Sequence, residues 1–285
     1  MSWPMNKIHL FVDSGAYSAV RCGQPINLEE YIDFCKDLVR RCPTAQYVNL
    51  DIIGKGTEDT GEESYVNWMK MKEAGLNPLP VYHVNADVKW LVKYLKRVDY
   101  IGLGAIANII TQRRMWSLDR IWEDYLIDKP TRLPAFKVHA MGVTSFPLMQ
   151  RYPWYSIDST SWLQDAMYGK IFVPRLRNNQ WAYDAKPYKM NVSTSSSKIK
   201  ERGFHIANLT PHLRSVLDRY IAENGFILGS LKVKNGEETV IGSGLANDYY
   251  ARCHLNARFY ARFITSMPWP RVFKAGKPEG LFDGE

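Results

Sequence analysis

Six short apolar runs in this chain end in, or contain, residues able to do chemistry. The run at 8–12 leads into Asp13, Ser14, Gly15, Ala16 and Tyr17, the run at 47–53 holds Asn49 and Asp51, and 80–84 holds His83. The run at 100–103 ends in Gly102-Leu103-Gly104, 136–141 holds His139 and Met141, and 155–157 leads to Asp158 and Ser159. In parallel α/β folds the C-terminal ends of the strands converge on one face, so the carboxylates of Asp13, Asp51 and Asp158 are expected to meet there. Such a set suits chemistry at an anomeric carbon: one carboxylate attacks or stabilises the oxocarbenium centre and another moves a proton.

Each of these residues also has a plain structural explanation. An Asp between a strand and a helix is a good helix N-cap. Gly102 and Gly104 permit a tight turn, or let a flat ligand lie against the backbone. His83 and His139 fit a core with satisfied ring nitrogens, and Tyr17 and Met141 fit packing positions. Three carboxylates at strand ends are harder to assign to capping than one.

The apolar runs recur every 20 to 40 residues or so and read as buried parallel strands. Helical periodicity lies between them, at 28–41 after an Asn27 cap, at 62–74 ending at Gly75, and at 87–97. Alternating strand and helix predict an α/β fold, and a TIM-like (β/α) barrel is favoured over a doubly wound sheet. With 285 residues, 46% of them hydrophobic, the chain matches one barrel-sized domain spanning 1–285.

Charge distinguishes the later part of the chain. The net charge is +8, which favours an anionic partner such as nucleic acid. Residues 170–202 read as a basic, aromatic-rich insertion carrying Arg175, Arg177, Lys186, Lys189, Lys198 and Lys200 among Phe172, Trp181, Tyr183 and Tyr188. A basic helical segment at about 245–274 follows, helical to about Ser266 and closed by Pro268 and Pro270. The four cysteines show no C-x-x-C pair and no Cys/His spacing for zinc, so reduced, buried thiols are expected, with no metal site. No apolar run reaches about 18 residues and the first residues lack a signal-peptide pattern. No membrane partner is expected, and the expected location is the cytoplasm, that of the host cell for a bacteriophage protein.

The ordered set is more specific than its parts. Phe-Val-Asp13-Ser-Gly-Ala-Tyr17, Asn-Leu-Asp51, Gly102-Leu-Gly104, Met141-Gly-Val-Thr and Ser-Ile-Asp158-Ser resemble, over roughly residues 8–165, the tRNA-guanine transglycosylase superfamily. The chain looks closest to the shorter, DpdA-like branch of bacteria and bacteriophages that places 7-deazaguanine bases in DNA. The resemblance implies Asp158 as nucleophile, Asp13 as general acid/base and Asp51 as the carboxylate reading the base edge. Gly104 would stand beside the base, with Tyr17 and Met141 sandwiching it, and Ser14, His83, Gly102 and His139 would complete the substrate pocket. It implies no cofactor, since exchanging one glycosidic bond for another is close to neutral, and two partners: DNA and a free 7-deazaguanine base of the preQ0 type.

Several positions depart from the tRNA enzymes. The Cys/His zinc site that follows the nucleophile there is missing, Ala16 replaces a glycine, and His83 stands where a Gln is usual. Asp13 lies close to Met1, so the barrel's N-terminal strand is expected to be missing or modified. Three alternatives stay open: a zinc-less tRNA-guanine transglycosylase, a non-catalytic nucleic-acid-binding accessory protein, and a metal-dependent hydrolase using His83, His139, Asp13 and Asp51. The sequence leaves open whether a homodimer or an accessory protein is involved.

Overall fold

A computed structural model describes residues 10–54, 58–106, 111–143, 145–193, 203–234 and 237–274. It folds as two compact units. The first comprises Met1–Val143, Arg151–Asp158 and Val272–Glu285, and the second Thr144–Gln150 and Ser159–Arg271.

The first unit is α/β, with parallel strands joined through helices. Its strands are Phe11–Val12 (β1), Gln46–Tyr47 (β2), Val81–His83 (β3), Tyr100–Gly104 (β4), Lys137–Ala140 (β5) and Ser156–Ile157 (β6). β1 pairs with β2, and β3 to β6 form a four-stranded sheet in sequential order, all parallel. A single parallel bridge, Val48 to Leu79, joins the two groups, so spatial order follows chain order throughout. The aromatic rings of Phe11 on β1 and His139 on β5 stack with centroids 4.3 Å apart.

The helices between these strands follow local chemistry. Ala16–Cys22 (α1) is bracketed by Gly15 and Gly23, both left-handed, a conformation glycine adopts without a Cβ clash. Leu28–Arg41 (α2) starts where predicted, with the Asn27 side chain accepting from the Glu30 amide. Gly61–Glu73 (α3) and Val88–Leu95 (α4) follow; Asp87 caps α4 by accepting from the Lys89 amide. Thr111–Ile121 (α5) continues into a π-helical stretch, Trp122–Leu126, that seats the fully buried Trp122 against Tyr152, Trp154 and Phe273. A second aromatic cluster, Tyr65, Trp68 and Tyr94, packs α3 on α4.

The run at 47–53 reads as one long strand, but the ladder ends near Val48. Asn49, wholly buried, turns its side chain into a substitute ladder: Oδ1 accepts from the Val81 amide and Nδ2 donates to the Ser64 carbonyl. The backbone leaves the sheet there and carries Asp51 past the strand end.

The second unit takes in most of Phe146–Arg151 (α6) and resumes with Ser161–Met167 (α7). Lys170–Val173 (β7) pairs antiparallel with Tyr188–Asn191 (β10), and Arg175–Arg177 (β8) with Gln180–Ala182 (β9). The β8–β9 turn is Asn178-Asn179, both at positive φ, as a two-residue hairpin requires. Pro211–Glu223 (α8), capped by Thr210, precedes a hairpin of Ser230–Lys234 (β11) and Glu237–Gly242 (β12). Tyr249–Thr265 (α9) ends at Ser266, where the sequence places its stop. Ile171, Met190, Leu217, Tyr220 and Leu255 lie in one core of this unit. The 170–202 stretch is therefore folded sheet as far as its described residues go; Lys198 and Lys200 lie outside them.

Two cysteines depart from expectation: Cys35 and Cys253 are buried, but Cys22 is exposed and Cys42 partly so. Among the described residues no helix is long and apolar enough to cross a membrane.

Candidate active site

The first unit brings the three carboxylates to the C-terminal ends of its strands: Asp13 directly after β1, Asp51 four residues after β2, and Asp158 directly after β6. None caps a helix. The N-caps of α1, α3 and α7 are Gly15, Thr60 and Thr160, so the capping explanation does not account for these positions.

Asp51 is buried and held from both sides. Ser14 Oγ donates to Oδ1 at 3.2 Å, and His83 Nε2 lies 2.7 Å from Oδ2. Gly104 makes room for this arrangement: it is the register partner of His83, and a Cβ there would stand 2.7 Å from His83 Cδ2. A Cβ at Gly102 would come within 3.6 Å of the Met141 sulfur. Gly104 thus serves the packing of His83, whereas a Cβ at Gly102 would meet Val81 Cγ2 at 3.2 Å and reach Met141 only at ordinary contact distance.

Asp158 is half exposed, and Oδ1 receives two bonds, from the Gly142 amide at 2.7 Å and from His139 Nε2 at 3.1 Å. Gly142 is at φ 62°, a left-handed geometry that turns its N–H toward the carboxylate. Burial pushes the Asp158 carboxyl up, but the His139 bond, the Gly142 amide and the His139 ring's electrostatic influence outweigh it and hold the group below the ordinary carboxylate range. Asp13 is shifted the other way. Shielding from water raises it first, then the charges of Asp51 and Asp158, against the amides of Ser14 and Gly15. Two carboxyls of one site are therefore set apart in proton affinity, the pattern that separates a nucleophile from a proton carrier.

Tyr17 projects from α1 half exposed, with the Arg21 guanidinium 5.9 Å from its ring centre. Met141 packs partly buried against Val48, Leu79 and Val81. The imidazoles of His83 and His139 are spent on different carboxylates, Asp51 and Asp158, and no three His, Cys, Asp or Glu among the described residues converge as metal ligands do. That geometry does not fit the hydrolase ligand set drawn from the sequence.

Sequence reading missed Tyr100, Ser156 and the Gly142 amide. Ser156 carried a signal: it lies two residues before Asp158 on β6, hence on the same face, and pairs in register with His139. In the second unit Arg175 lies 3.9 Å over the Tyr188 ring, Arg177 pairs with Asp184 at 3.1 Å, and Lys189 pairs with Asp165 at 2.9 Å. Comparison with models of known protein families and with curated proteins finds none that matches this chain.

Proposed function

We propose that this protein is a DNA-guanine transglycosylase, exchanging guanine in DNA for a 7-deazaguanine base through a covalent aspartyl-deoxyribose intermediate. The observation that carries the reading is the divided proton affinity of Asp158 and Asp13, each directly after a strand of the parallel set, with neither residue engaged as a helix cap. The sequential parallel order of β1 to β6 and the Phe11–His139 stack support a sheet curled as in a TIM-like barrel.

The chemistry follows from these positions. Asp158 attacks C1′ of a flipped-out deoxyguanosine; the electrons of the C1′–N9 bond leave with guanine, which takes a proton from Asp13. The incoming base then attacks C1′ through N9, Asp158 departs, and Asp13 recovers the proton, giving net retention. Asp51, its plane fixed by Ser14 and His83, is assigned to the base edge. The two half-reactions should depend oppositely on pH. Formation of the covalent intermediate needs Asp13 protonated and falls as pH rises through its raised value; resolution by free base needs it ionised and rises over the same range. Single-turnover trapping and chase across that range will show both limbs, and Asp13→Asn should slow both steps and remove the dependence.

Charge supports the polyanionic partner. The second unit contains 16 Lys and Arg against 8 Asp and Glu, the whole excess of the chain, while the first unit balances 21 against 21. Phosphate binding is assigned to the second unit accordingly. Replacing Lys186, Lys189, Lys198 and Lys200 together should weaken duplex binding and flatten its salt dependence by about 0.9 in log–log slope for each phosphate left without its cation. An unchanged slope would remove that segment from the DNA-binding surface.

The reading as a whole is tested by exchange of labelled guanine into duplex DNA and, in parallel, into bulk tRNA. Incorporation into DNA alone is expected. Incorporation into tRNA alone would move the protein to the tRNA branch.

A further inference from the structure

Behind Asp158 lies a chain of hydrogen bonds that the resemblance does not supply. Tyr100 Oη is 2.6 Å from Ser156 Oγ, Ser156 Oγ is 2.6 Å from His139 Nδ1, and His139 Nε2 is 3.1 Å from Asp158 Oδ1. The order comes from β4, β5 and β6 lying side by side, with Ser156 the register partner of His139.

The direction of the chain can be derived. An ionised carboxylate only accepts, so His139 Nε2 carries a proton. In the neutral form of the ring, Nδ1 is then bare and accepts from Ser156, whose oxygen accepts from the Tyr100 phenol. The reverse direction would leave the phenolic proton with no acceptor among the described residues, in a half-buried position. Phe11, stacked 17° from parallel on the buried imidazole, fixes the ring plane. His139 Nε2 and the Gly142 amide both reach Oδ1 of Asp158, and no described side chain bonds Oδ2.

We propose that Tyr100 and Ser156 are positioning residues that hold His139 as its Nε2–H tautomer, so that Oδ1 of Asp158 is tied down and Oδ2 is the oxygen that attacks the sugar carbon. This rests on the assignment of Asp158 as nucleophile. The division of labour is physically useful: one oxygen anchors the carboxylate and disperses charge, while the other keeps its lone pairs directed outward.

The test reads the ring and the reaction separately. Nitrogen-15 NMR of the full-length protein, with the His139 signals assigned through His139→Gln, should show Nε2 protonated and Nδ1 bare in wild type. Ser156→Ala should produce a mixture of tautomers and slow covalent trapping on DNA about tenfold, the scale of one missing hydrogen bond, without changing DNA affinity. Ser156→Thr, which restores the hydroxyl, should recover both, and Tyr100→Phe should fall between. A wild-type ring protonated on Nδ1, or an unaltered tautomer in Ser156→Ala, overturns the relay whatever the activity. If wild type forms no adduct on DNA or tRNA, the nucleophile assignment and the role of Oδ2 fall, while the ring-nitrogen signals still decide whether the relay exists.

Discussion

Asp158→Asn should reduce covalent trapping and base exchange by about a thousandfold or more while leaving DNA affinity near that of wild type. The size of the effect follows from what the substitution removes. An amide oxygen can still accept from the Gly142 N–H and from His139 Nε2, so the local fold keeps both bonds that now reach Oδ1. The other end of the group becomes an NH2, which carries no charge and no nucleophilic lone pair. Binding, assigned to cationic residues of the second unit, does not draw on this carboxylate. Denaturing electrophoresis of enzyme mixed with guanine-containing DNA checks the loss of adduct, and a filter-binding titration checks retention of affinity. Wild-type levels of adduct from the variant would refute Asp158 as the nucleophile.

The largest effect on stability is expected at Trp122. Its side chain is wholly buried, stacked on Tyr152, edge-on to Trp154 and tilted against Phe273. Trp122→Ala removes the centre of that cluster and leaves a void the surrounding rings cannot close, at a cost of about 3–5 kcal/mol. That is a large share of the roughly 5–15 kcal/mol by which folded domains are usually stable. Urea unfolding followed by circular dichroism should show the midpoint falling with little change in slope. A midpoint within error of wild type would mean that the cluster does not support the first unit.

How far the sequence could be read differs from residue to residue. α2 was legible because the Asn27 cap and the apolar spacing agree with each other, and the end of α9 because Pro268 and Pro270 close it. The three carboxylates were legible as strand-end residues, since a short apolar run before a polar residue is a local signal. Their separation in proton affinity was not, because it arises from neighbours distant in sequence: His139 for Asp158, and Asp51 for Asp13. Gly104 was noticed, but its contact with His83 was not legible, since only the register of β3 against β4 reveals His83 beside it. The short β2 was overestimated because an asparagine that replaces the ladder with its side chain looks, in sequence, like any strand-end polar residue. In the second unit, periodicity was obscured by two-residue turns and strands of three or four residues, too short to alternate visibly.

The first unit is assembled from three separate stretches of chain, and the last of them supplies Phe273, which is almost wholly buried in the Trp122 cluster. On a ribosome adding about 5–20 residues per second, Phe273 arrives roughly 6–23 s after Asp158. Throughout that interval the nascent chain holds every strand of the parallel sheet and all three carboxylates, yet lacks a wall of its aromatic core. The second unit, continuous from Ser159 to Arg271 apart from its short earlier segment, is synthesised in full before that wall is delivered. Completion of the carboxylate-bearing unit is thereby timed to follow translation of the charged one.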